Sequence, residues 1–168
     1  LPDLLSMLAE AYPDLEPRFV EEQTQHLITR LRNGNLDLAI MALPSEATGM
    51  VDSPLYTEKF SIVCPPDHPI AGREDVELAE LKDLDLLLLD DGHCLRDQVV
   101  DLCRHADINP AEATNSVTRA SSLTTIMQLV MGGLGCTLVP ESALATECHG
   151  KDVAIAHFAS DVTAERLS

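Results

Sequence analysis

Tryptophan is absent, and two Tyr and three Phe bring the aromatics to only 3%. So few flat rings exclude a platform on which single-stranded bases stack. Basic residues are also scarce: 11 Lys and Arg face 28 Asp and Glu, a formal charge of −17. Phosphates are bound by Lys and Arg that displace their counterions, so this surface is not built to dock on DNA, RNA or an anionic membrane. Long apolar runs are missing too. The longest, Leu38–Leu43, falls far short of the ~20 residues of a membrane span. There is no Cys-x-x-Cys pair, no Gly-x-Ser-x-Gly elbow and no phosphate-cradling glycine loop. The chain does not begin with Met, no signal segment follows Leu1, and the whole reads as a piece of something longer.

What is present fits an ordinary globular core. The 168 residues are 45% apolar, enough to hide most of the surface that the unfolded chain exposes. Five cysteines cannot all pair within one chain, which points to a reducing, cytoplasmic setting and not to a disulfide scaffold.

Periodicity predicts alternating helices and strands. Leu4, Leu5, Leu8, Ala11 and Tyr12 keep helical spacing until Pro13. Pro17–Glu22 reads as extended, and Thr24 opens a second helix as its N-cap, with Leu27, Ile28 and Leu31 as its stripe. Leu36–Leu43 is nearly continuous apolar sequence, the mark of a strand buried on both faces. Leu55–Val63 and Asp85–Leu89 read as further strands, with a helical turn at Leu78–Leu81 between them. His93–His105 is helical, and Asn115–Val117 is a short strand. Ser122–Met131 is a helix closed by Gly132-Gly133, followed by strands at Cys136–Val139 and Val153–Phe158 with a short helix from Pro140-Glu141 between. The class is α/β with mostly parallel sheets.

The order of several phrases carries a resemblance. LPDLLSMLAEAYPDLEPRFVEEQTQHLITRLRNGNLDLAIMAL, then PLYTEKFSIVCPPDHPI, then ASSLTTIMQLVMGGLGCTLVP are similar to the effector-binding domain of LysR-type transcription regulators. Within that family, Gly92-His93-Cys94-Leu95-Arg96-Asp97-Gln98 followed by Cys103 looks like the OxyR-type hydrogen-peroxide sensors, as does Glu22-Gln23-Thr24. The resemblance implies two Rossmann-like subdomains joined by two crossing strands, a periplasmic-binding-protein-like fold. Subdomain I takes residues 1–56 and is incomplete, subdomain II takes 57–164, and 165–168 begin the return crossing. It also implies a homodimer, a tetramer in the full-length protein, and DNA contact through a winged helix-turn-helix domain preceding this segment. No cofactor and no membrane partner are implied.

Cysteine reacts as the thiolate, which helix starts and cationic neighbours favour. Cys94 stands at a predicted helix start after Asp90-Asp91-Gly92, with His93 and Arg96 close by. The family likeness makes Cys94 the peroxidatic residue and Cys103 the resolving one. On one helix the nine-residue separation spans roughly 13–14 Å, whereas a disulfide needs Cα atoms within about 7 Å. The segment would have to unwind, turning a chemical event into a change of shape. Thr24, His93, Arg96, Gln98 and Arg166 are the residues that the likeness assigns to the peroxide pocket. Each has a plain alternative: a helix cap for Thr24, a hydrogen-bonded loop residue for His93, pairing with a nearby acid for Arg96, and a solvated helix residue for Gln98. Cys64 and Cys136 read as core packing, and Cys148 as a loop residue without a task.

Other chemistries fit less well. His93, Cys94, Cys103 and His105 do not match zinc-ligand spacing, so no metal is expected. A Cys–His hydrolase would need its base aimed at Cys94, and adjacent residues at a helix start point apart. Peroxide sensing is a signalling event, so the domain is not expected to be an enzyme. The alternatives are a LysR effector domain that binds a small metabolite, with Thr24 and Ser121-Ser122 holding an anion, and a thiol peroxidase with turnover.

Overall fold

A computed structural model describes residues 2–42, 48–109 and 119–159. Two helices open the chain, α1 (Pro2–Ala11) and α2 (Thr24–Arg32). Further on come β1 (Phe60–Cys64), a 3-10 turn (Leu78–Asp83), β2 (Leu88–Leu89) and α3 (Cys94–His105). The remainder is β3 (Arg119–Ala120), α4 (Leu123–Met131), β4 (Thr137–Pro140), α5 (Glu141–Glu147) and β5 (Ala154–Ala156).

β1 is the central strand. It runs antiparallel to β4 on one edge, with Phe60 opposite Pro140 and Val63 opposite Thr137, and to β5 on the other, with Cys64 opposite Ala154. β2 pairs with β3 in parallel, and a parallel bridge between Leu86 and Cys136 joins this pair to β4. The order is therefore β3-β2-β4-β1-β5. Four of these strands share one direction, and β1 alone opposes them. β1 is the exception within the mostly parallel expectation, for a topological reason. β4 and β5 form a parallel unit crossed by α5, and β1 is slotted between them.

Alternation along β1 builds two cores. Phe60, Ile62 and Cys64 face a cluster completed by Val76, Leu81, Leu86, Val99, Leu102, Cys103, Cys136 and Leu138. Val63 faces the other, with Leu87, Val139 and the α4 residues Ile126, Met127 and Val130. All five β1 residues are buried, so the double burial predicted for Leu36–Leu43 is found at β1 instead. Residues 36–42 carry no ladder, and Leu38 and Ile40 are 70% and 59% exposed. A strand is buried on both faces only between layers, and no described segment pairs with this one. Ile28 aside, the buried apolar residues of the described chain lie between Phe60 and Ala156. The expected strand at Asn115–Val117 lies outside the described residues, as does Leu43.

The predicted helices hold, with adjusted ends. α4 starts one residue after Ser122, whose hydroxyl caps it by accepting from the Thr125 N–H at 3.2 Å. At α2 the extended cap position falls on Gln23, and Thr24 is the first helical residue. Thr24 therefore does not serve as the N-cap.

Candidate functional site

The Asp90-Asp91-Gly92 turn sets where α3 begins. Gly92 has φ +92°, a conformation that costs any L side chain. A β-carbon there would also press on the Gln23 side chain at 3.2–3.4 Å. The chain then straightens at His93, the cap position, whose carbonyl accepts the first helical bond from the Asp97 N–H at 3.2 Å. The His93 side chain makes no capping bond. Cys94 is thus the first residue of α3, half-buried and unbridged.

Arg96 makes the acid pairing that its plainer reading expects. Its guanidinium pairs with Asp91 at 2.7 Å and more loosely with Asp97 at 3.5 Å, so its charge is shared with carboxylates that flank the thiol along the chain. The partly exposed pairing is worth at most about 1 kcal/mol. Its geometry ties the first turn of α3 back to the preceding loop.

Cys94, Leu95 and Gln98 share one wall of a cleft of about 650 Å³. Met41, Pro54, Tyr56 and Thr57 are among its other lining residues. Gln98 lies one turn beyond Cys94, and the i,i+4 relation places both on the same opening. Thr24 is not on that wall. The side chain that reaches from α2 to the Cys94 loop is Gln23, whose amide donates to the Asp91 carbonyl at 3.4 Å. Sequence reasoning singled out Thr24 and passed over Gln23. The signal was its place beside Thr24 in the Glu22-Gln23-Thr24 phrase. Arg166 lies outside the described residues.

Cys103 is at the other end of α3, 1% exposed and packed in the core with Val99 and Leu102. Burial pushes its thiol above the ordinary range and keeps it protonated. Nine residues make about two and a half turns, so Cys94 and Cys103 lie on opposite sides of the helix, roughly 13–14 Å apart along its axis. One thiol faces the cleft and the other faces the core. Among the described residues no cluster of three or more His, Cys, Asp or Glu is arranged to hold a metal ion. None of the described helices is long and apolar enough to cross a membrane.

Over residues 1–167 the chain matches the family model described as the LysR substrate binding domain. It is 46% identical over 167 residues to a probable hydrogen peroxide-inducible genes activator of Mycobacterium leprae, covering 99% of this chain and 53% of that protein. The chain therefore spans about half the length of such curated relatives. Among solved structures, a hydrogen-peroxide-bound cysteine-to-serine mutant of Corynebacterium glutamicum OxyR superposes with a TM-score of 0.92 at 63% identity, covering 98% of this chain and 51% of that one. The oxidised form of the same OxyR superposes with a TM-score of 0.81 at 62% identity, covering 96% and 50%.

Proposed function

The chain belongs to the LysR substrate-binding domain family, and from that premise we propose that it is the regulatory domain of a hydrogen-peroxide-responsive transcription regulator. Cys94 is the peroxidatic residue and Cys103 the resolving one. The observation that carries this reading is the division of labour on α3: an unbridged, half-buried thiol at the helix start on an open cleft, and a second thiol sealed in the core at the far end.

The chemistry balances. The Cys94 thiolate attacks one peroxide oxygen, an S–O bond forms as the O–O bond breaks, and the departing hydroxide takes a proton to leave as water. Gln98, which lines the cleft with Cys94, is the side chain assigned to orient peroxide there. The resulting sulfenic acid condenses with the Cys103 thiol, releasing a second water and leaving a disulfide. Closure cannot occur on the intact helix, so α3 must unwind and withdraw Val99 and Leu102 from the core. This rearrangement is the signal. Both thiols are free in the present fold, which is therefore read as the reduced form.

The remaining parts follow from the family: a homodimer, tetrameric in the full-length regulator, with DNA held by a winged helix-turn-helix domain outside this chain. The −17 charge supports assigning DNA contact to that other domain. The test is chemical. Reduced protein given equimolar peroxide should show a Cys94–Cys103 bridge in a non-reducing peptide map, and Cys94→Ser should abolish it. A map without that bridge, or unchanged peroxide consumption by Cys94→Ser, overturns the reading. The volume of the cleft favours a second reading, because about 650 Å³ is in the range of small-molecule sites. Calorimetric binding of a metabolite to a chain with both cysteines replaced by Ser would favour that alternative.

A further inference from the structure

Cys64 and Cys136 take no part in the switch described above. Both are fully buried, and both belong to the core cluster that also holds Cys103. They come from neighbouring strands. The β1–β4 register pairs Ile62 with Leu138 and Val63 with Thr137, and one further step sets Cys64 opposite Cys136.

Backbone bonding defines what kind of pair this is. The Cys136 N–H donates to the Asp85 carbonyl at 2.9 Å, and the Cys136 carbonyl accepts from the Leu87 N–H at 2.8 Å. Both polar groups of Cys136 thus turn away from β1 and toward the strand on its other side. Cys64 in turn pairs with Ala154 of β5. The two cysteines therefore oppose each other at a position without direct hydrogen bonds between them. At such positions Cα atoms lie about 4.5 Å apart and the side chains are drawn together. Disulfides accept Cα separations from about 4.4 to 6.8 Å. Directly opposed residues also point to one face of the sheet, in keeping with their shared cluster. Gly135 allows the close backbone approach to Asp85 that holds Cys136 in this place.

We propose that Cys64 and Cys136 form a second redox pair, a cross-strand dithiol that closes to a disulfide with both strands left in place. With a peroxide as oxidant, one sulfur takes an oxygen as the O–O bond breaks and water leaves. The other sulfur then displaces that oxygen as a second water. Two electrons pass from sulfur to peroxide, and the S–S bond replaces two S–H bonds.

The two pairs are opposites. Cys94 is accessible, but its partner is remote. Cys64 and Cys136 are already adjacent, but both are shut away from solvent. Burial also raises both thiols, Cys136 to about 12 with the Cys64 and Asp85 charges adding to the effect, so neither offers thiolate near neutrality. The pair is thus favourable to oxidise and slow to react. It responds to oxidant in excess of what Cys94 consumes, or to oxidant present while the core opens.

An equilibrium measurement separates the geometry from the rate. The intact 168-residue chain is held in dithiothreitol redox buffers of stepped ratio until composition is constant, then acid-quenched, alkylated and peptide-mapped without reduction. The expected result is a linked Cys64–Cys136 peptide that persists to an oxidised-to-reduced ratio about tenfold lower than Cys94–Cys103 tolerates. A Cys103→Ala chain, which cannot make the first bridge, should still form this one. Free Cys64 and Cys136 in every buffer that bridges Cys94 to Cys103, or either residue linked elsewhere, overturns the proposal. The Cys103→Ala arm reads the pair by itself, so its failure is distinguishable from failure of the peroxide-sensing reading.

Discussion

Oxidation should make this domain less stable, although it adds a covalent bond. A ten-residue loop closed by a disulfide gains about 2.5–3 kcal/mol by restricting the unfolded chain. Forming it from the reduced fold means unwinding α3, where Val99 and Leu102 are each 2% exposed. Removing two such side chains from the core costs about 1.5–3 kcal/mol apiece. The helix itself is lost, and the half-buried Leu95 packed against the same cluster is disturbed as well. The balance is a net loss of roughly 1–3 kcal/mol, or about 2–10 °C in Tm for a domain of this size. The assay is thermal unfolding followed by circular dichroism on reduced and peroxide-treated protein. Cys94→Ser serves as a chain in which peroxide cannot form that bridge. A Tm that rises on formation of the Cys94–Cys103 bridge would refute the claim that closure dismantles a packed helix.

Three further outcomes follow from particular side chains. Gly92→Ala forces a β-carbon into a positive-φ position against Gln23, so it should cost about 1–2 kcal/mol in urea unfolding. It should also slow the peroxide reaction of Cys94; an unaltered rate would mean that the turn does not position the thiol. Cys103→Ser should trap sulfenic acid on Cys94, detectable by dimedone labelling, and the hydroxyl left in an apolar core should cost about 1–3 kcal/mol. Stability should also fall in alkali. Cys64, Cys103, Cys136 and Cys148 are all raised in the fold, chiefly by burial. Above the unfolded thiol value of about 8.5 the native state then holds more protons than the unfolded chain. Their contribution is complete below that pH and is lost as pH climbs through the folded values, toward about 12 for Cys136. Urea midpoints that stay flat from pH 8 to about 10.5 would contradict this.

The legible parts of the fold were those encoded by local pattern. Leu123, Ile126, Met127 and Val130 keep a helical stripe between a Ser cap and a Gly stop, and α4 lies where they put it. The illegible parts depended on neighbours. Leu38 and Ile40 lie in an apolar run indistinguishable from that of a central strand, yet both are exposed. Run composition reports suitability for burial, whereas burial itself requires a second layer. The direction of β1 was hidden for the same reason: Phe60–Cys64 reads identically in either sense, and only the insertion between β4 and β5 decides it.

The site divides along the same line. Cys94 at a helix start, Gln98 one turn on and Cys103 on the apolar side were readable because all three sit on one helix, and helical phase relates them. Gln23 was not, because its bond to the Asp91 carbonyl joins residues 68 positions apart. Nor was the adjacency of Cys64 and Cys136, which depends on strand register and not on chain spacing. Arg96 shows how proximity along the chain can mislead about charge. It sits two residues from the thiol, but Asp91 and Asp97 hold its guanidinium at 2.7 and 3.5 Å. Whatever the cation contributes at Cys94 is therefore diluted by two carboxylates. Arg96→Ala should consequently loosen the loop-to-helix tie more than it changes the pH dependence of the peroxide reaction. A stopped-flow pH profile distinguishes the two. A profile of unchanged shape with a lower plateau fits a positioning role, and a profile displaced to higher pH would assign Arg96 the direct electrostatic role instead.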